Sequence, residues 1–177
     1  MTAFHAGLLT QDAMLLIKHQ VLDGYSRDTK ALLGLDLEKV FDNIKHEFIL
    51  ETVAKPELRP RLYNYIKPFL SGRKARLGIG NFFSEDVPLG RRGTPQGSVV
   101  SPVLFNLCMI RLSKSLASVD SIKHTIYPDD ITIWCVCGSE GWVQDALQGA
   151  VAEVESYLRQ TGLRCSPAKS ELLLYRK

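Results

Sequence analysis

The chain has 177 residues, of which 45% are hydrophobic and 23% charged, with a net charge of +3, and these are the proportions of one soluble globular domain with its own core. No apolar run reaches the roughly 18 residues of a membrane span, and positions 1–16 lack the basic, then apolar, pattern of a secretory leader. The expectation is an intracellular protein, cytoplasmic or nuclear, with no membrane partner.

In chain order, Thr10 with Asp12 behind it opens a helix over 10–22 as an N-cap and an acidic first turn. The short apolar run 31–37 reads as a buried strand ending at Asp36. Helices follow over 45–54 and 60–70, the second starting on Pro60, where a missing N–H costs nothing. Segments 73–79 and 82–87 flank Gly80-Asn81, a hairpin signal. A loop rich in glycine and arginine, 90–97, leads to a long helix over 98–116 with Pro102 in its first turn. Two strands, 122–127 and 131–137, are separated by Pro128-Asp129-Asp130. Val143, Leu147, Ala150, Val154 and Leu158 form one stripe of a helix over 142–160, which Gly162 closes. A last strand covers 172–175. The order of strand, helices, hairpin, helix and strand predicts an α+β fold, a split βαβ antiparallel sheet with helices packed on one face. Cys108, Cys135, Cys137 and Cys165 match no zinc spacing and read as buried free thiols, with Cys135 and Cys137 on one strand face.

Charge is concentrated. Between positions 55 and 92 lie Lys55, Arg59, Arg61, Lys67, Arg73, Lys74, Arg76, Arg91 and Arg92, against Glu57, Glu85 and Asp86. Such a stretch suits phosphates, and it equally suits a solvated basic face. The carboxylates are more pointed. Asp36 ends an apolar strand, and Asp129 and Asp130 sit at the tip of an apolar hairpin. Magnesium prefers hard oxygen ligands and takes one or two carboxylates plus substrate phosphates. Two such ions about 3.5–4 Å apart can activate an attacking hydroxyl and stabilise a leaving group. Taken singly, each aspartate is an ordinary turn or cap residue. The case rests on several segments standing in the right order.

That order carries a resemblance. LLGLDLEKVFD (32–42) resembles motif A of reverse transcriptases, GTPQGSVVSPVLFNL (93–107) motif B, YPDD (127–130) motif C and TGLRCSPAKSELLLY (161–175) motif D. Together with MTAFHAGLLTQDAML (1–15), the wording is similar to arthropod non-LTR, LINE-type, retrotransposons across nearly the whole chain. The resemblance implies a polymerase palm over 31–177 with a remnant of the fingers over 1–30, and with thumb and endonuclease absent. It implies RNA-directed DNA polymerase activity with an RNA template, a DNA primer and deoxynucleoside triphosphates, within a longer retrotransposon polyprotein. It assigns two Mg2+ (or Mn2+) ions to Asp36, Asp129 and Asp130, and a catalytic cation to Lys169. Phe41 would lie under the incoming sugar and clash with a ribose 2′-OH. Gln96 and Gly97 would line the nucleotide pocket, and Arg73, Lys74, Arg91 and Arg92 would touch nucleic acid. Each has a plainer reading: a core phenylalanine, a helix-entry loop, surface cations.

The sequence departs from the family at Pro128, where a small residue is usual before the aspartate pair, and at His5, in a region that usually reads Gly-Phe-Arg. Met1 reads as an internal methionine of a longer frame. These departures keep a catalytically dead relic as the alternative function, with an RNA-binding module on a split βαβ fold as a third.

Overall fold

A computed structural model describes residues 10–23, 28–56, 58–127, 129–136 and 138–175. Its centre is a four-stranded antiparallel sheet of β1 (Lys30–Asp36), β6 (Ile122–Ile126), β7 (Asp130–Cys135) and β8 (Glu171–Tyr175), in the order β6-β7-β1-β8. β1 therefore runs parallel to β6 with β7 between them, and β7 parallel to β8 with β1 between them. These are two interlocked split βαβ units, as the element order predicts.

The connections supply the helices. Between β1 and β6 come α2 (Val40–Asn43), α3 (His46–Val53), α4 (Pro60–Leu70) and α5 (Val100–Ala117), and α6 (Glu140–Thr161) joins β7 to β8. One face of the sheet presents Ala31, Leu35, Ile126, Ile131, Ile133 and Cys135. Against it pack Phe48, Ile49 and Val53 of α3, Leu104, Met109 and Leu112 of α5, and the α6 stripe Val143, Ala150 and Val154, all buried. Tyr157 of α6 crosses to α5, where its hydroxyl donates to the Cys108 carbonyl, and meets Phe48 edge-on at 5.7 Å. Burial pushes the Tyr157 hydroxyl and the Cys108 thiol up, the thiol to about 12, so neither ionises near neutral pH.

The other face is covered at one end. Helix α1 (Thr10–Ile17) leads into a π-helical turn, Lys18–Leu22, which lies over that end. Gln20 accepts from the Trp134 indole at 3.0 Å, and the Lys30 ammonium donates to the Val21 carbonyl at 2.9 Å. Lys30 and Trp134 are consequently buried, and the aspartate end of the same face stays open.

Boundaries follow the sequence closely, with physical reasons where they move. Thr10 is the first described residue and is already helical, and the segment before it, with His5, lies outside the described residues. Ser139, not Trp142, opens α6, its hydroxyl accepting from the Trp142 N–H at 3.4 Å. α5 starts two residues later than expected, after a turn in which Ser98 N–H donates to the Pro95 carbonyl. The two long hairpin strands are instead two short ladders. β2 (Lys74–Ala75) pairs with β5 (Val87–Pro88), and β3 (Gly78–Ile79) with β4 (Phe82–Phe83). Between them Ser84 takes the Leu77 N–H on its hydroxyl and gives its own N–H to the Leu77 carbonyl, which interrupts the pleat. Cys108 and Cys135 are buried free thiols as read, whereas Cys165 is half-buried and Cys137 lies outside the described residues. Among the described residues no helix is long and apolar enough to cross a membrane.

Candidate active site

β1 and β7 lie in a register that sets Asp36 directly opposite Asp130. The Leu37 N–H donates to the Asp129 carbonyl at 2.6 Å, so Asp129 is tied to the same corner. Tyr127 and Asp130 exchange both backbone bonds, at 2.8 and 3.2 Å, and close the β6–β7 hairpin. Pro128 lies outside the described residues; the bonds that flank it are kept. Residues 36 and 129, 93 apart in sequence, thus share one end of the sheet.

A cleft of about 490 Å³ opens there, lined by Asp36, Glu38, Phe41, Asp42, Gln96, Asp129, Ser166 and Lys169 among others. The Asp36 side chain is only 21% exposed. Its Oδ2 lies 3.5 Å from the Lys169 ammonium, and its Oδ1 is buried with no hydrogen-bond partner among the described residues. A buried carboxylate oxygen left in that state is costly unless something else binds it. Asp130 feels the crowding. Its carboxyl is pushed above the usual range by partial burial first, then by Asp129 and Asp36, with Lys169 pulling it back.

The expected cluster of three aspartates narrows here. Asp129 and Asp36 line the cleft and Asp130 does not. Among the described residues no three Asp, Glu, His or Cys side chains are gathered closely enough to hold a metal ion. Three like charges repel in a low-dielectric corner, and magnesium needs only one or two carboxylates from protein. Asp36, with its orphaned Oδ1, and Asp129 fit that requirement.

The cleft's far wall is built by a turn and a loop that the sequence separates. Lys39 takes a left-handed conformation, φ 45°, and its carbonyl accepts from the Asp42 and Asn43 N–H groups at 2.9 and 3.0 Å. That reverses the chain after Asp36 and turns Phe41 and Asp42 back to the cleft. Phe41 is half-buried, tilted against Phe105 at 5.8 Å, and faces the cleft as well, so a core ring and a cleft ring are one. The glycine-rich loop docks on this turn. Thr94 N–H donates to the Phe41 carbonyl at 2.6 Å and Gly93 N–H to the Ile44 carbonyl at 2.8 Å. The His46 ring meets the Gly93 carbonyl at 2.7 Å. Gln96 then donates its amide to Asp42 Oδ1 at 3.2 Å. At Gly97, φ is +83° and, its chain neighbours aside, no described residue comes within 4 Å of where a Cβ would stand, so the space beside it is open.

Sequence reasoning passed over Asp42 and Gly93. Asp42 stands within the motif A stretch, but its partner is visible only in three dimensions. Gly93 has φ +78°, and a Cβ there would fall 2.9 Å from both the Phe41 and Asp42 carbonyl oxygens. Gly93→Ala is therefore expected to lower stability by about 1–3 kcal/mol from backbone strain alone, with the steric clash adding to it. Urea unfolding measures this, and a loss below about 0.5 kcal/mol would mean that the loop lifts off freely.

Arg73, Lys74, Arg91 and Arg92 do not join the cleft. Lys74 sits on the β2–β5 hairpin, 3.9 Å from Asp86, and Arg91 and Arg92 border a separate hollow with Lys45 and Glu47. A larger groove of about 620 Å³ lies between α6 and β8, lined by Leu33, Val143, Leu147, Leu172 and Leu174 among others. Its lining is mostly apolar, with Glu140, Gln144, Gln148 and Glu155 among the residues that border it.

A split βαβ sheet with carboxylates meeting at one strand end, a docked glutamine–glycine loop and a lysine beside them is the palm architecture of a template-directed polymerase. The family model described as reverse transcriptase (RNA-dependent DNA polymerase) matches residues 3–177, and the chain belongs to that family. Among curated relatives it is similar to the Pol polyproteins of type-1 R2 retrotransposable elements. It is 26% identical to that of Nasonia vitripennis over 78% of this chain and 14% of that protein, and 27% identical to one of Popillia japonica over 88% and 23%. The chain thus spans less than a quarter of either polyprotein. Among solved structures, apo telomerase of Candida tropicalis, truncated from its C-terminal domain, superposes with a TM-score of 0.73. The match covers 99% of this chain and 36% of that one at 11% identity, a likeness of fold.

Proposed function

We propose that this chain is the catalytic palm segment of an RNA-directed DNA polymerase from a retrotransposon, acting on an RNA template, a DNA primer and deoxynucleoside triphosphates as part of a longer polyprotein. The observation that carries the reading is the convergence of Asp36, Asp129 and Lys169 in one cleft with Gln96 and Phe41. Asp36 and Asp129 would hold divalent cations, Mg2+ or Mn2+. The ions supply activation of the primer 3′-hydroxyl and charge neutralisation on the phosphates.

The chain's own residues then do the following. Lys169 faces the leaving pyrophosphate and offsets its charge as the bond to the α-phosphorus breaks. Asp42 holds the Gln96 amide through its N–H, which leaves the Gln96 carbonyl for the nucleotide. Phe41, braced by Phe105, forms the floor beneath the sugar. The open space at Gly97 admits the nucleotide against backbone. Helix α1 and the π-helical turn would be the part of the fingers that this segment keeps.

An RNA-binding module on this fold would need exposed rings on the sheet. Of the rings on the sheet face opposite α5 and α6, Trp134 is tied to Gln20 of the π-helical turn, and Tyr175 lies under the Lys30 ammonium at 5.9 Å.

The test has two arms. The isolated chain is expected to extend a primer weakly or not at all, because catalysis by positioning needs fingers to clamp the nucleotide and a thumb to hold the duplex. Grafted into a complete related enzyme, the same segment is expected to restore extension. A graft that binds primer–template but never extends it would establish the relic. A Pro128→Ala graft then shows whether proline before the aspartates is the cause, since its φ near −65° conflicts with the turns tight hairpins favour.

A further inference from the structure

His46 is a buried, polar side chain to which the chemistry of the cleft gives no part. It starts α3, and its ring reaches the Gly93 carbonyl at 2.7 Å across 47 residues of chain. A carbonyl only accepts, so Nε2 carries the proton and donates. The neighbouring bonds between segments 41–46 and 91–94 run backbone to backbone. His46 N–H donates to the Arg91 carbonyl at 3.1 Å, Gly93 N–H to Ile44 and Thr94 N–H to Phe41. The Gly93 carbonyl is the exception. Gly93 is buried with φ +78°, and among the described residues the donor to its carbonyl is the His46 ring. Without that donor a buried acceptor would be left unsatisfied, which favours the loop lifting away.

What the loop carries gives the bond its consequence. Gln96 and Gly97 follow Gly93 by three and four residues and are exposed. The Gln96 amide meets Asp42 at 3.2 Å, a bond between exposed groups that is too weak to set the position of the loop by itself. On its far side the loop is tied to α5, where the Ser101 hydroxyl donates to the Pro95 carbonyl at 2.8 Å. On its near side His46 ties it to the turn that bears Phe41 and Asp42.

We propose that His46 is a positioning residue for nucleotide binding, its ring holding the Gly93 carbonyl so that Gln96 and Gly97 stand against Phe41 and Asp42 in a preformed pocket. The inference rests on the polymerase reading for the identity of the ligand, whereas the clamp itself needs no catalysis. The carboxylate corner is held by other bonds, Leu37 N–H to the Asp129 carbonyl at 2.6 Å and Ser166 N–H to the Asp36 carbonyl at 2.8 Å. Loss of the His46 donor therefore acts on nucleotide binding and spares the bond-making step. A pocket that is assembled only part of the time weakens apparent affinity by that fraction.

Two substitutions at one position test this. His46→Phe keeps a ring and removes the donor, and His46→Gln puts an amide N–H where Nε2 stood. In a graft that polymerises, His46→Phe is expected to raise the KM for dTTP on poly(rA) primed with oligo(dT) roughly 5- to 150-fold, the scale of one buried carbonyl deprived of its donor, with kcat little changed. His46→Gln is expected to recover most of that affinity. Hydrogen exchange on the full chain reads the clamp without any activity. The Gly93 and Thr94 amides should exchange roughly 5- to 150-fold faster in His46→Phe and near the parent rate in His46→Gln, while the amides of α6 keep their protection. An unchanged KM, a fall in kcat at constant KM, no recovery with glutamine, or equal acceleration in α6 would each overturn the proposal. Grafts that never extend a primer, together with exchange at residues 93 and 94 that still depends on His46, would remove the polymerase reading and leave the clamp standing. Extension whose KM is indifferent to His46 would do the reverse.

Discussion

Asp36→Asn, introduced into a graft that polymerises, is expected to reduce nucleotide incorporation by at least about 100-fold, the scale on which losing one preorganised electrostatic group is felt. Asparagine keeps the shape and loses the charge. Its amide cannot serve as an anionic ligand, and it no longer holds Lys169, whose ammonium lies 3.5 Å from Asp36 Oδ2. Stability should behave in the opposite way, which separates a site residue from a structural one. Asp36 is one of the charges that push the Asp130 carboxyl upward. A carboxyl whose folded pKa is raised binds its proton more tightly in the native state, so ionised Asp130 weighs against folding above that pKa and the penalty is relieved as pH falls through it. Removing Asp36 lowers the Asp130 pKa toward its ordinary value and shrinks that penalty. Single-turnover incorporation and a carboxyl NMR titration of Asp130 measure the two effects. Unchanged incorporation, or an Asp130 titration that does not move down, would contradict this account of the cleft.

Phe41→Val, in the same background, is expected to admit ribonucleotides about 10–200-fold better relative to deoxynucleotides, the range that shape alone gives for one small group. The ring lines the cleft beside Asp36 and rests on Phe105 at 5.8 Å, so it cannot retreat into the core to make room for a 2′-OH. The same support means that the substitution also costs stability, about 1–3 kcal/mol for a shortened and partly buried side chain. The ratio of ribo- to deoxynucleotide kcat/KM is therefore the informative quantity, because loss of folded enzyme cancels in it. An unchanged ratio with lowered stability would leave Phe41 as core alone.

Much of this molecule was legible in its sequence because the signals are local. The apolar run that ends at Asp36, the stripe from Val143 to Leu158 with Gly162 behind it, and Pro60 at a helix start each set an element by short-range periodicity or backbone restriction. The element order then left few ways to close an antiparallel sheet. The motif words placed Asp36, Gln96, Asp129 and Lys169 in one family pattern before any distance was known. What only the tertiary structure decided is whatever depends on two distant segments touching. The strand register sets Asp36 opposite Asp130, and the cleft beside that pair takes in Asp36 and Asp129. The requirement for glycine at 93 comes from the carbonyls of residues 41 and 42, and the partner of Gln96 is Asp42, 54 residues away. The covered end of the sheet depends on Gln20 reaching Trp134 across 114 residues. A propensity or a repeat along the chain has no term for such contacts, since they arise from how the core packs and from where the backbone bonds of facing segments are satisfied.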